Sequence, residues 1–284
     1  MTKEADRVEL VRFFVFTLAS TWLLWLPLVL SGQGLGWLPV TLPMPWVLPG
    51  TFCPTLVALW LHRRATGNWR AFTLWPGAVP FGVGLGTGAL LIVFAFVVAP
   101  GCWLAQGGPG SVSWAALAGY PAATWRALMM AGPLGEEAGW RGYALPRLQR
   151  CFGPWRGTLV LGALWAGWHL PLFLIPGYGG GSFVNYLALV AALAFVMTTA
   201  RNLSRGSVLV AILLHAVFNA SGAILGGFIG EGGVRPSSAP LTTIIVCFWV
   251  LAGVLLVVTR GRLAWRQAPA PADPQPVVVH LPRG

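Results

Sequence analysis

Long apolar runs, separated by short polar segments, dominate the pattern of hydrophobic and polar positions along this chain. A membrane-spanning helix needs roughly 17–25 predominantly apolar residues, and eight segments of the chain have that character. Their predicted ranges are 11–31, 44–62, 80–99, 122–145, 157–175, 183–200, 206–228 and 240–259. The pattern therefore predicts an all-α fold, a polytopic transmembrane helical bundle with about eight spans.

The basic residues between these segments predict the orientation of the bundle. They precede the first segment, follow the eighth, and lie in the loops after the second, fourth and sixth segments. The alternate loops 32–43, 100–121 and 176–182 contain no basic residue, and 229–239 contains only Arg235. Because cytoplasmic loops are enriched in lysine and arginine, both termini are predicted to be cytoplasmic.

Composition excludes a soluble globular protein. Of the 284 residues, 56% are hydrophobic and 9% are charged, whereas a soluble domain contains about 25% charged residues. The net charge of +11 comes from basic residues that are scattered among the loops, so topology explains it and we expect no nucleic-acid partner. The chain is predicted to be a multi-pass integral membrane protein, in the cell membrane if it is bacterial.

The length of the chain leaves room for a single membrane domain. We place this transmembrane domain at residues 1–262, and the proline-rich residues 263–284 are predicted to be a disordered cytoplasmic tail. The four cysteines lack the spacing of metal or redox motifs, so they are predicted to be free thiols.

Two adjacent carboxylates, Glu136 and Glu137, lie inside the fourth apolar segment. The fourteen residues from Ala122 to Gly135 are too few to cross a bilayer, so the predicted helix continues through the carboxylates to about Leu145. An ionisable group at such depth costs roughly 2.5–3.5 kcal/mol. Packing does not explain that cost, and we therefore predict a functional site here.

Three further polar side chains lie within predicted spans: His169 in the fifth, and His215 and Asn219 in the seventh. At about 1.5 Å of rise per residue, Glu136 and His215 lie roughly 14–15 Å from the cytoplasmic ends of their helices. His169 and Asn219 lie roughly 20 Å from those ends. Three helices are thus predicted to bring a carboxylate, two imidazoles and an amide to one level of the membrane.

Spacing suggests different duties for these residues. Glu137 and Arg141 are four positions apart, which favours an ion pair along the helix. Glu136 is rotated by about 100° from Glu137 and escapes that pairing. His215 and Asn219 are also four apart and therefore share one helix face.

Glycines form a bare stripe beside Glu136, because they recur at spacings of three and four residues: Gly132, Gly135, Gly139 and Gly142. Such a stripe admits either a neighbouring helix or the extended backbone of a substrate. The sequence leaves these two alternatives open.

Three motifs carry a resemblance to a known family. They are Glu136-Glu137-x-x-x-Arg141, then Trp165 separated by three residues from His169, then His215-x-x-x-Asn219. In this order they resemble the motifs of the CPBP family, the CAAX prenyl protease and bacteriocin-processing intramembrane endopeptidases, also called the Abi or type II CAAX protease family. The resemblance covers residues 120–225. Trp165 replaces the usual phenylalanine of the second motif, an aromatic residue that lines the site.

The resemblance implies a helical bundle around a conical cavity open to the cytoplasm, and hydrolysis of a peptide bond near the cytoplasmic face of the membrane. It implies that Glu136 activates the attacking water with help from His169, and that His215 and Asn219 stabilise the oxyanion. Donors fixed where charge develops contribute about 2.7–4 kcal/mol each. The implied partners are the lipid bilayer and a peptide or protein substrate. Prenylated C-terminal tails, bacteriocin leaders and signalling peptides all remain open.

Three alternatives compete with a glutamate-activated peptidase. Zinc is a candidate cofactor, because carboxylates and imidazoles are acceptable zinc ligands and the site offers Glu136, His169 and His215. The resemblance does not require a metal, however, and the histidines lack the H-E-x-x-H arrangement. A transporter or proton relay would also place acids and histidines in the membrane, but the chain shows no internal repeat and no matching pair of broken spans. The third alternative is a non-catalytic immunity or scaffold protein with the same fold.

Overall fold

The computed structural model of the chain describes residues 2–69, 77–105, 118–130, 132–229 and 238–266. Every regular element in this part of the chain is helical, so the predicted all-α fold is confirmed. The helices are α1 (Lys3–Leu30), α2 (Leu48–Thr51), α3 (Cys53–Thr66), α4 (Ala78–Ala105), α5 (Tyr120–Met130), α6 (Pro133–Glu137), a π-helix (Ala138–Ala144), α7 (Leu145–Phe152), α8 (Pro154–Trp168), α9 (Phe183–Leu203), α10 (Val208–Ile229) and α11 (Ser238–Val258).

Five helical segments of the described chain are long and apolar enough to cross a membrane. They are Lys3–Leu30, Met44–Thr66, Ala78–Val98, Phe183–Leu203 and Leu241–Val258. These segments correspond to the predicted first, second, third, sixth and eighth spans, and they fit a multi-pass membrane protein. The count of eight spans and the cytoplasmic position of both termini stay predictions.

The predicted fourth span is not one continuous helix, and that prediction is wrong. Helix α5 ends at Met130, and α6 begins at Pro133. Between them Gly132 has a φ of +94°, a conformation that glycine adopts without the steric cost of a side chain. Proline is favoured at the first position of a helix because the missing N–H has no partner there. Glu136 therefore lies in the first turn of a new helix rather than in the middle of a long one.

The predicted fifth span, 157–175, also differs from the structure. Helix α8 begins at Pro154, ends at Trp168 and is followed by a 3₁₀ turn at Leu170–Leu174. Pro171 lies within that turn, and proline cannot continue the hydrogen-bond ladder of an α-helix. His169 is thus the residue that ends α8, not an interior residue of a span.

Helix α9 is the centre of the bundle. All of its residues from Val190 to Ala200 are buried, and it packs against α4, α8, α10 and α11. Small side chains permit close approach: a Cβ added at Gly162 of α8 would lie 2.8 Å from the Cα of Ala191. Close packing of this kind is how helices associate in lipid, where no hydrophobic force drives them together.

Polar contacts fix the start of α1 to α7. The carboxylate of Asp6 is buried and accepts two hydrogen bonds from Arg150, at 2.7 and 2.8 Å. These bonds raise the pKa of Arg150 above its usual value. The hydroxyl of Tyr143 donates to Glu9 at 2.7 Å, and the guanidinium of Arg147 lies 3.6 Å from the centre of the Tyr143 ring. Helix α1 is therefore held against the π-helix and α7, the two elements that follow Glu136 and Glu137.

Only the beginning of the predicted tail, 263–284, falls within the described residues. Leu263 is buried, and its carbonyl accepts a hydrogen bond from the side-chain amide of Asn202 at 2.9 Å. Residues 267–284 lie outside the described part of the chain. The segment that follows α11 thus begins by packing against the end of α9.

Candidate active site

One cavity of about 490 Å³ is lined by all four side chains that the sequence predicts to be catalytic: Glu136, His169, His215 and Asn219. They come from α6, the end of α8, and α10. The other lining residues are mostly apolar or aromatic, and include Trp25, Leu48, Trp168, Leu172, Tyr178 and Tyr186. Three separate parts of the chain therefore bring the predicted polar groups to one apolar cavity.

The carboxylate of Glu136 is held by indole groups on one side. The side chain is buried, and its Oε2 accepts a hydrogen bond from Nε1 of Trp165 at 2.8 Å and a longer one from Nε1 of Trp140 at 3.4 Å. A Cβ added at Gly132 would overlap Oε1 of Glu136. Glycine is thus required at position 132 for two reasons: the turn between α5 and α6 has a positive φ there, and a side chain would occupy the space of the Glu136 carboxylate.

Trp165 contacts the site through its indole N–H, which the sequence did not reveal. The side chain is buried, and besides donating to Glu136 it lies under the guanidinium of Arg141, with 4.0 Å between the guanidinium carbon and the ring centre. A phenylalanine, the usual family residue here, could contact the guanidinium of Arg141 but has no N–H group to donate to Glu136. Trp165 therefore contacts two charged side chains, the carboxylate of Glu136 and the guanidinium of Arg141.

Glu137 is the centre of a buried ionic cluster. Its Oε1 accepts a hydrogen bond from Arg141 and another from Nδ1 of His215, both at 2.8 Å, and all three side chains are buried. The Glu137–Arg141 ion pair predicted from spacing is therefore present. The bond from His215 was not predicted, because it joins α6 to α10 and depends on how those helices pack.

The orientation of the His169 ring follows from its partner. Its Nδ1 lies 2.9 Å from the backbone carbonyl of Trp165. A carbonyl oxygen only accepts hydrogen bonds, so Nδ1 carries the proton and Nε2 of the neutral ring presents a lone pair. The ring packs edge-on against Trp168 and Tyr186, with centroid distances of 4.6 and 5.1 Å. His169 is therefore a fixed acceptor in the wall of the cavity.

The glycine stripe faces a neighbouring part of the chain at two of its positions. A Cβ on Gly135 would lie 2.6 Å from the carbonyl oxygen of Thr51, and one on Gly139 would lie 2.5 Å from backbone atoms of Pro54. Of the two alternatives that the sequence left open, close approach of a neighbouring helix therefore holds at Gly135 and Gly139. The contact fixes the start of α3 against the helix that carries Glu136 and Glu137.

Replacing Gly139 by alanine is expected to destabilise the protein by about 1–3 kcal/mol, because the added methyl group overlaps the backbone of α3. Thermal unfolding of the purified chain in detergent measures the effect. Gly167→Ala in α8 is the control, since a Cβ there meets nothing within 4 Å and alanine is the better helix former. Equal midpoints for the two variants would contradict the close contact.

The zinc alternative finds no support in the geometry. Within the described ranges, no three histidine, cysteine, aspartate or glutamate side chains are grouped so that they could hold a metal ion. Nδ1 of His215 is bonded to Glu137, and Nδ1 of His169 to a backbone carbonyl, so only the two Nε2 atoms could ligate a metal. Glu136, His169 and His215 line one cavity, but their side chains are not grouped so that they form a zinc centre.

Comparison with known proteins identifies related sequences over the same region. A family model described as type II CAAX prenyl endopeptidase Rce1-like matches residues 118–221, which contain all three motifs. A curated protein of Methanococcus maripaludis, CAAX prenyl protease 2, is 26% identical over 102 residues. The match covers 32% of this chain and 36% of the relative, so the chain spans about a third of the length of that protein. The resemblance carried by the motifs is confirmed: over this region the chain is similar to the type II CAAX prenyl endopeptidases.

Proposed function

We propose that this chain is an intramembrane endopeptidase that hydrolyses a peptide bond near the cytoplasmic face of the membrane, with Glu136 as the general base. One observation carries the proposal: a buried carboxylate, two imidazoles and an amide from separate helices line a single cavity. The match to an endopeptidase family over residues 118–221 supports the same reaction class. Polar groups this deep in an apolar bundle are costly, and they mark functional sites in membrane proteins.

Glu136 takes the first proton in the proposed mechanism. Its Oε2 is fixed by the indole of Trp165, which leaves Oε1, beside Gly132, as the oxygen that contacts a water molecule in the cavity. Oε1 removes a proton from that water while the water oxygen attacks the carbonyl carbon of the peptide. The same carboxyl group then returns the proton to the leaving amine, the usual duty of a positioned acid–base group.

His169 orients the water that Glu136 activates. Its Nδ1 proton is committed to the carbonyl of Trp165, so Nε2 accepts a hydrogen bond from the second proton of the water. The lone pair of the water then points away from both acceptors and toward the substrate carbonyl. Holding the reactants in such a geometry supplies a large part of the rate increase in hydrolytic enzymes.

Asn219 and His215 stabilise the oxyanion that forms on the substrate. The side-chain amide of Asn219 donates directly, whereas Nδ1 of His215 already donates to Glu137. His215 must therefore use Nε2, which donates when the ring carries both protons. In that form the carboxylate of Glu137 lies against both the charged ring and Arg141, and it offsets one of their two positive charges. Glu137 is thus a positioning residue for the oxyanion site.

The walls of the cavity favour an apolar group next to the scissile bond. Beyond the polar groups, the lining is mostly apolar or aromatic, and burial of apolar surface contributes roughly 25 cal/mol per Å². A prenylated C-terminal tail has this chemistry, so we place it first among the substrate classes. Leader and signalling peptides with apolar side chains beside the cleaved bond come second.

An unbiased comparison of released peptides tests the proposal. Native membranes that contain the wild-type chain should release peptides that membranes with Glu136→Gln do not, and mass spectrometry of the soluble fraction identifies them. If no product depends on Glu136, the peptidase proposal is wrong. The immunity and proton-relay alternatives both predict that outcome.

Chelation is expected to leave the activity unchanged within about twofold, since Glu136, His169 and His215 are not grouped so that they could hold a metal ion and a structural or catalytic zinc site needs three or four protein ligands. The rate of peptide release is measured before and after treatment with 1,10-phenanthroline. Treatment with a non-chelating isomer of that compound is the control. A selective loss that added zinc restores would show that the reaction uses a metal.

A further inference from the structure

A second cavity lies between the ends of α9 and α11 and the start of α4, away from the candidate active site. Its volume is about 820 Å³. We call it the arginine pocket and define it by its polar and aromatic lining: Arg201, Asn202, Arg205, Arg262, Trp265 and Arg266. Trp265 also lines a smaller recess together with Lys3 and Arg150. The arginine pocket is therefore at the end of the bundle that carries the N-terminus, the end predicted to be cytoplasmic.

The arginine pocket holds four guanidinium groups, and no carboxylate in the described part of the chain balances them. Of the acidic residues described, Glu136 and Glu137 lie in the candidate active site. The other three lie on α1, where their ion-pair partners are Arg7, Arg12, Arg147 and Arg150. The described residues thus leave a concentrated positive charge in a concave site.

Arg201 cannot be explained as an arginine that merely sets topology. Its Nε is buried and has no hydrogen-bond partner among the residues described, and its NH1 makes only a long bond of 3.4 Å to Asn202. The positive-inside rule and the partial negative charge of helix C-termini account for the exposed Arg205, Arg262 and Arg266. Arg201 as a whole is half-buried, and a partly desolvated guanidinium with an unpaired Nε and no counter-ion is costly, which favours an anion beside it.

Several residues around the arginine pocket have a left-handed backbone conformation. Gly206 has a φ of +91°, and a Cβ there would lie 3.4 Å from NH2 of Arg201. Arg205 and Ala264, which both line the pocket, have φ values of 53° and 57°. Residues with side chains adopt this left-handed conformation at a steric cost, and they concentrate at ligand-binding sites. The turns that follow α9 and α11 therefore hold a strained conformation where the arginines converge.

We propose that the arginine pocket binds a phosphate-bearing anion, with the headgroup of an anionic phospholipid as its source in the membrane. A guanidinium fork matches the spacing of phosphate oxygens and binds them through two parallel hydrogen bonds. Basic pockets between transmembrane helices on the cytoplasmic side bind such headgroups in general. The indole of Trp265 is of the type found at the level of lipid headgroups. A soluble phosphate offers the same chemistry, and the experiment separates the two sources.

Thermal unfolding of the purified full chain, followed by tryptophan fluorescence in neutral detergent, tests the proposal. The midpoint should rise in a saturable way with added phosphatidylglycerol and not with phosphatidylcholine. The double variant Arg205→Gln with Arg262→Gln should need about thirtyfold more phosphatidylglycerol for the same rise, since two contacts to the phosphate are lost. Both positions are exposed, so the substitutions leave the packing of the bundle intact.

The matched control is Arg63→Gln with Arg64→Gln, which removes the same charge from exposed positions at the end of α3. This variant should respond to phosphatidylglycerol as the wild type does. A saturable rise with sodium phosphate alone, lost in the double variant of the pocket, would also support the site and would identify a soluble phosphate as the source. The proposal is overturned if neither lipid nor phosphate produces a saturable rise, or if the pocket and control variants respond alike.

Discussion

Glu136→Gln is expected to lower the rate of peptide hydrolysis by about 10²–10⁴-fold, the range that a general base contributes. Glutamine has nearly the same size, and its amide oxygen can still accept the hydrogen bond from Trp165. It cannot remove a proton from water. The measurement is the single-turnover rate at a cleavage site identified from released peptides, because that rate excludes product release.

Two controls separate lost chemistry from lost folding. Glu4→Gln changes an exposed carboxylate of α1 and should keep the wild-type rate. The unfolding midpoint of Glu136→Gln should stay close to that of the wild type, since the substitution leaves no unpaired charge. A well-folded Glu136→Gln variant with more than about a tenth of the wild-type rate would rule out general-base catalysis by this residue.

Glu137→Leu is expected to destabilise the protein by about 3–5 kcal/mol, the usual result when one partner of a buried ion pair is removed. The guanidinium of Arg141 is fully buried and would lose its carboxylate partner. His215 would lose the acceptor of its Nδ1 proton. The midpoint of thermal unfolding and the yield of folded protein measure the loss.

A double variant distinguishes the structural duty of Glu137 from its proposed duty at the oxyanion site. Glu137→Leu combined with Arg141→Met removes both charges, and apolar replacement of a whole buried pair is often neutral or stabilising. Stability should therefore recover, while hydrolysis should not, because His215 still lacks its carboxylate. If Glu137→Leu alone were as stable as the wild type, the Glu137–Arg141 pair would not be desolvated. A fully active double variant would show that His215 works without Glu137.

Part of the candidate site could be predicted from sequence, because helical geometry relates residues on the same helix. Helical period places Arg141 one turn after Glu137, whereas the depth estimate for Glu136 took its helix to end near Leu145, and the helix continues to Phe152. The bonds between elements could not be predicted in this way. The contact from Trp165 to Glu136 and that from His215 to Glu137 depend on the rotation of each helix about its axis, which packing determines.

The interruptions of the helices were also hidden by the hydrophobic pattern. Hydropathy continues without a break from α5 into α6, although Gly132 and Pro133 change the backbone there. Pro171 gave a local signal that α8 ends near His169, but apolar residues on both sides of it extended the predicted span. The π-helix at Ala138–Ala144 has no such signal. A pattern of apolar residues reports burial in lipid or protein and does not report the path of the backbone.

The position of α9 at the centre of the bundle has a consequence for how the protein is made. Its residues from Val190 to Ala200 are enclosed on every side, yet α10 and α11 are synthesised after it. While the chain is being inserted, the face of α9 that packs on α11 therefore stays uncovered until α11 itself enters the membrane. Because α8 and α10 both pack on α9, the two histidines would reach their final positions only late in biogenesis.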